Sequence, residues 1–239
     1  MTRRPGLRPG LPGTAPVVPQ ALDTHLADLP TAAAVTLRTG GSGVVLGTAP
    51  DGSTAGIALF RPEPTTAVAT GGLALAQLLA FRALAVGAQV LVETHRPAAW
   101  QTFVALSPGS TGSTTLTPHA DDDVNGSVHS PRLLVVDAQS AASAEPRRVG
   151  RWSTVLTAHD QLSSWNAPLL GASDLSLLLA PTTTEARLAA SALNLPDAAR
   201  QPAGHPGTTV VVAHRGGWRT AEVSPTDVER WLVGSLERR

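Results

Sequence analysis

One stretch, residues 66–93, constrains the fold more than any other part of the chain. Thr66-Ala67-Val68-Ala69-Thr70 is uncharged and rich in apolar residues, so it reads as a short buried strand. Gly71-Gly72 turns the chain. Residues 73–85 then have helix-forming composition, with Leu75, Leu78, Leu79 and Arg82 spaced around the helix. Gly87 supplies the stop expected at a helix C-terminus. Val90-Leu91-Val92-Glu93 is a second strand. A strand-helix-strand unit of this kind is parallel and right-handed in almost all cases.

The surrounding sequence extends that pattern. A hairpin is expected from residues 33–38, the turn Gly40-Gly41-Ser42-Gly43, and Val44-Val45-Leu46. Asp51-Gly52 marks another turn, leading to a strand at 57–60 that Arg61-Pro62-Glu63-Pro64 stops. A second helix is expected at 97–106, with Pro97 in its first turn. Residues 133–137, 152–158 and 174–180 read as further buried strands, and 208–213 as a β-rich run. Thr182-Thr183-Thr184-Glu185 has the form of a capping box opening a helix to Leu195. Ser224-Pro225-Thr226-Asp227 opens a last helix over 228–236, from which Trp231 is expected to cover the core. The alternation predicts an α/β domain with a mostly parallel sheet and helices on both faces, preceded by a β-hairpin. Such a sheet is Rossmann-like or degenerate P-loop-like.

The first 30 residues differ in kind. Pro5, Pro9, Pro12, Pro16 and Pro19, with Gly6, Gly10 and Gly13, oppose regular structure, and Arg3, Arg4 and Arg8 make the segment basic. The expected organisation is therefore a disordered tail over 1–30 and a single α/β domain over 31–239. No apolar run reaches the roughly 20 residues that a membrane helix requires. The chain is expected to be cytoplasmic, with membrane contact that is at most peripheral. The 18 basic groups balance the 18 acidic ones, which argues against a nucleic-acid partner.

All the basic residues are arginines, and Lys, Cys and Tyr are absent. This excludes a phosphate-loop lysine, a Schiff base, a thiol nucleophile, thiolate metal sites and phenolic acid-base chemistry. No catalytic residue, no metal site and no cofactor is expected, and the chain reads as a protein that is not an enzyme. One alternative competes with that reading. The Gly71-Gly72 turn precedes a helix N-terminus suited to a phosphate, and Glu93 ends the next strand, where dinucleotide-binding folds place a ribose-contacting acid. Gly71, Gly72 and Glu93 would then bind a dinucleotide or sugar nucleotide, in an enzyme or a sensor. The run Gly-Gly-Leu-Ala-Leu-Ala is not G-x-G-x-x-G, and two glycines also serve a simple tight turn. Asp137 resembles the acid ending an apolar strand in nucleotide hydrolases. His119-Ala120-Asp121-Asp122-Asp123 could offer oxygen ligands to a cation but reads as an acidic surface loop. His95, between Glu93 and Arg96, lies at the mouth of the sheet and reads as an edge histidine.

Several phrases occur in a familiar order. Leu59-Phe60-Arg61-Pro62-Glu63-Pro64 leads to Val68-Ala69-Thr70-Gly71-Gly72, then Phe81-Arg82-Ala83-Leu84-Ala85-Val86-Gly87-Ala88. Val90-Leu91-Val92-Glu93-Thr94-His95-Arg96-Pro97-Ala98-Ala99-Trp100 and Pro131-Arg132-Leu133-Leu134-Val135-Val136-Asp137 follow. Glu185-Ala186, Leu193-Asn194-Leu195, and Pro225-Thr226 with Glu229 complete the series. Over residues 32–239 this order resembles the soluble domain of EccE-like proteins of actinobacterial type VII secretion systems. The resemblance implies a non-catalytic structural component of the secretion complex, working beside an FtsK-like ATPase and other subunits at the inner face of the cell membrane. It carries over no catalytic residue. EccE-like proteins usually begin with two transmembrane helices, where this chain has a Pro-rich segment.

Overall fold

The computed structural model describes residues 43–107, 113–121, 124–139, 147–195, 206–214 and 217–236. Strands β1 (Gly43–Thr48) and β2 (Thr54–Ala58) form an antiparallel hairpin with Val44 opposite Ile57. Its turn is closed by Asp51, whose carboxylate accepts from the Ser53 amide at 2.9 Å and hydroxyl at 2.6 Å. The strand expected at 33–38 lies outside the described residues. The hairpin described here closes on Asp51-Gly52, with a bulge between Val45 and Gly47.

The parallel unit follows as expected: β3 (Thr65–Thr70), α1 (Leu73–Ala85) and β4 (Gln89–Glu93). After it come α2 (Ala98–Leu106), β5 (Thr114–Thr117), β6 (Arg132–Gln139) and β7 (Ser153–His159). Then come α3 (Ala167–Ala172), β8 (Leu175–Leu179), α4 (Thr183–Ala192), β9 (Thr209–His214), β10 (Gly217–Glu222) and α5 (Asp227–Val233). Ten strands form one sheet in the order β2-β1-β10-β9-β8-β3-β7-β6-β4-β5. The six strands from β8 to β5 run parallel. The β9, β10, β1 and β2 side is antiparallel. Strands β3 and β4 are therefore parallel, as the sequence indicates, but β7 and β6 are inserted between them.

Side-chain alternation assigns the two faces. Ala67, Ala69, Leu133, Val135, Leu156 and Leu177 pack with Leu75 and Leu79 of α1, Trp100 and Phe103 of α2, and Leu232 of α5. Val68, Leu178 and Val211 pack on the other side with Leu170 of α3 and Ala189 of α4. Helices thus cover both faces. Ala76, Ala80 and Ala83 are fully buried, so small side chains let α1 lie close against the sheet. Trp100, Phe60 and Phe103 are the largest fully buried side chains. Trp100 and Phe103 meet edge to face with centroids 5.6 Å apart. Trp231 does not cover the core. It is 65% exposed, because the register of α5 turns Glu229 and Leu232 inward instead. No helix among the described residues is long and apolar enough to cross a membrane.

Candidate functional site

The carboxyl ends of the parallel strands gather the polar side chains. Asp137, near the end of β6, lies on the face that α2 covers. Its Oδ2 accepts from Thr94 Oγ1 at 2.9 Å, Arg96 Nε at 2.8 Å and Trp100 Nε1 at 2.9 Å. Its Oδ1 accepts from Arg96 Nη2 at 2.7 Å. The bidentate arginine pairing is the strong, geometrically specific form of this contact. Burial would raise the Asp137 pKa, but the donors from Arg96, Trp100 and Thr94 outweigh it and hold the carboxyl below its ordinary value. Hydrogen bonding to Asp137 correspondingly raises the pKa of Arg96.

Arg96 also reaches Asp160, just beyond β7, at 3.3 Å. Its Nη1 takes part in none of these bonds. From Asp160 the polar line continues to His159, whose backbone carbonyl accepts from the Gly71 and Gly72 amides at 3.3 and 3.4 Å. Gly71 has φ +120°, and a Cβ there would lie 2.4 Å from the Cβ of Leu179, so no larger residue fits. Gly72, φ +107°, is the N-cap of α1 and has open space around it. Gly72 has no side chain with which to cap this helix N-terminus. His159 is buried, and burial pushes its pKa down, partly opposed by the Gln139 main chain and the Asp160 charge.

Among the sequence-predicted site residues, Gly71 and Gly72 stand at this line. Glu93 does not join them. With β7 and β6 in between, it lies three strand spacings away, about 14 Å. Its carboxylate is engaged by Arg147 Nη2 at 2.5 Å from both oxygens and by the Ala120 amide at 2.9 Å. His95 is exposed, while its neighbours Thr94 and Arg96 bond Asp137. Asp122 and Asp123 of the acidic loop lie outside the described residues. No group of three metal-ligating side chains is found among the described residues. Sequence reasoning on single residues marked Asp137 but missed its partners. The available signal was the spacing Thr94, Arg96, Trp100 directly after a strand, and Asp160 directly after another.

No family model and no curated protein matches the sequence. The fold is that of VirB4 of Thermoanaerobacter pseudethanolicus, with a TM-score of 0.53 at 10% identity, covering 79% of this chain and 98% of that one. The genome packaging NTPase B204 of Sulfolobus turreted icosahedral virus 2 matches with a TM-score of 0.45 at 9% identity, over 70% of this chain and all of that chain. The cytoplasmic domain of the Thermomonospora curvata type VII secretion ATPase EccC matches with a TM-score of 0.49 at 13% identity, over 82% of this chain and 31% of that chain. The expectation that the chain is not an enzyme is corrected: it rested on missing residue types alone, and the fold the chain shares with VirB4 gives it no support. The missing residue types had excluded particular mechanisms, and that exclusion does not extend to the architecture.

Asp137 has the strand-end position of the cation-holding acid of nucleotide hydrolases. A cation on Asp137 does not fit. Three donors converge on Oδ2 and the arginine holds Oδ1, so a metal would have to displace Arg96. A phosphate has two sources of donors here, the start of α1 and the Nη1 of Arg96.

Proposed function

We propose that this chain is an interaction component of a type VII-like protein secretion complex, of the EccE-like kind, built on the fold of a secretion motor. It works at the inner face of the cell membrane in contact with an FtsK-like ATPase subunit. The observation that supports this most is the shared architecture with VirB4, which extends over nearly all of that chain. A second support is that the phrases carrying the resemblance meet in space: Arg82 pairs with Glu229, and Thr94, Arg96 and Trp100 surround Asp137. Co-expression with the FtsK-like ATPase should give a complex that co-elutes in size exclusion. Elution of the two proteins apart, together with unchanged secretion in a deletion strain, would overturn the reading.

A second reading rests on a specific observation. The first turn of α1 follows the Gly71-Gly72 turn, and Arg96, which reaches Asp160 just beyond the neighbouring strand, uses its Nη1 in none of its bonds, so a nucleotide phosphate would be gripped by arginine instead of lysine. Calorimetry with ATP and ADP should then show saturable binding that Arg96→Ala abolishes. Silence with both nucleotides removes this reading and leaves the first intact.

A further inference from the structure

Strands β3 and β7 end side by side, with Thr70 opposite His159. Alternation places both side chains on the sheet face opposite α1. Each residue is 1% exposed. Among the described residues, no atom within hydrogen-bond geometry partners the Thr70 hydroxyl or either ring nitrogen of His159. The Gln139 main chain lies near the ring and opposes the effect of burial on it, without completing a bond. Buried polar atoms without a completed bond on two neighbouring residues are a costly arrangement, because each loses its water on folding.

We infer that Thr70 and His159 enclose an internal water molecule that bridges them. The chemistry selects water. A neutral imidazole has one donor and one acceptor, and a hydroxyl has both, so the pair asks for a guest that also donates and accepts. Buried waters typically make two to four such bonds. An anion is opposed by the Asp160 carboxylate on the next residue, and one imidazole with one hydroxyl is too small a set for a transition metal. The position gives the water a structural role. The His159 carbonyl holds the Gly71-Gly72 turn, and Asp160 holds Arg96, so the bridge fixes the joint between α1 and the acidic cluster.

Thr70→Val tests this because it keeps the shape and removes the hydroxyl. With a bridging water, the variant strands a bonded guest and the urea midpoint falls. Without one, the variant deletes an unsatisfied group and the midpoint rises. A crystal structure of the wild-type chain gives the independent readout, since the bridge requires a density peak about 2.7–3.2 Å from both side chains. A raised midpoint in Thr70→Val, or a map with no peak between the two residues, overturns the inference. So does an increase in the wild-type midpoint with inorganic phosphate that Thr70→Val removes, which would make the guest an anion.

Discussion

Two arginines organise this domain, and they are used differently. Arg82 of α1 spends all three of its nitrogens on protein acceptors. Its Nε and Nη2 bond Glu229 at 2.6 and 3.1 Å, and its Nη1 bonds the carbonyls of Val45 and Leu46 at 2.9 and 2.7 Å. The β1 bulge accompanies the pairing of two successive carbonyls with one guanidinium nitrogen. Hairpin, α1 and α5 are thereby tied at a single buried point. Arg96 spends two nitrogens on Asp137 and Asp160 and stays 30% exposed, at the mouth of the sheet. The first arrangement is complete within the protein, and the second retains donors for something outside it. The same residue type serves closure in one place and access in the other.

The sharpest way to break this comparison is to remove each guanidinium. Arg82→Met leaves the buried Glu229 carboxylate beside an apolar side chain and takes the donor from the Val45 and Leu46 carbonyls. Loss of one partner from a buried pair costs about 3–5 kcal/mol, and a large drop in urea midpoint is expected. Arg96→Met leaves Asp137 with its Thr94 and Trp100 donors, and Asp160 is already 44% exposed. Asp137 is itself buried but keeps two side-chain donors, so a loss of about 2–3 kcal/mol is expected there. Equilibrium unfolding of both variants checks the order. An Arg96→Met loss equal to or above that of Arg82→Met would mean that the mouth cluster, not the buried staple, holds the domain together.

Acid separates the regions further. Burial alone would raise Glu229, but bonds from Arg82 and Thr226 hold its pKa below the ordinary value, and Asp137 behaves alike. A carboxylate with a depressed folded pKa contributes stability at neutral pH that is lost as pH falls below about 4.5. Both regions share that lower leg. His159 belongs to the mouth region alone. Its depressed folded pKa means that the unfolded chain binds the proton first, so stability declines as pH drops below about 6.5. Urea midpoints from pH 8 to 3 should therefore fall in two stages. In His159→Gln the upper stage should vanish and the lower one remain, and an unchanged upper stage would assign it to another group.

Much of the scaffold is legible in the sequence because its signals are local. The strand β3, helix α1 and strand β4 follow from one apolar run, one glycine pair and one C-terminal glycine. The capping box of α4 is readable from Thr182-Thr183-Thr184-Glu185, and the start of α5 from Ser224-Pro225-Thr226-Asp227, though not the return bond from Glu229. Strand β5, strand β10 and helix α3 gave no such signal, since Thr114-Thr115-Leu116-Thr117 and the run from Gly217 to Glu222 are polar, and α3 has only six residues. The insertion of β6 and β7 between β3 and β4 is a fact of sheet order, which no local pattern encodes. It is also what separates Glu93 from Gly71 and Gly72. The site suffered most from this. Arg82 and Glu229 are 147 positions apart and Arg96 and Asp137 are 41 apart, so each pair exists only through the fold.

The two capping boxes give the smallest and most discriminating effect. Thr182 caps α4 through the Glu185 amide, and Thr226 caps α5 through the Glu229 amide, both at 3.3 Å. In each box the glutamate returns a bond to the threonine amide, at 2.9 and 2.8 Å. Either Thr→Ala change is expected to cost about 1 kcal/mol. The boxes differ in what their glutamates do next. Glu185 accepts from the Leu162 amide at 2.9 Å, whereas Glu229 is the partner of Arg82. In an Arg82→Met background, Thr182→Ala should therefore add its full cost. Thr226→Ala should show a coupling of at least about 0.5 kcal/mol, because it acts on a carboxylate that has already lost its cation. A double-mutant cycle on urea midpoints measures both. Additivity at Thr226 would show that the cap and the staple are independent, and that Arg82 fixes the hairpin through the Val45 and Leu46 carbonyls alone.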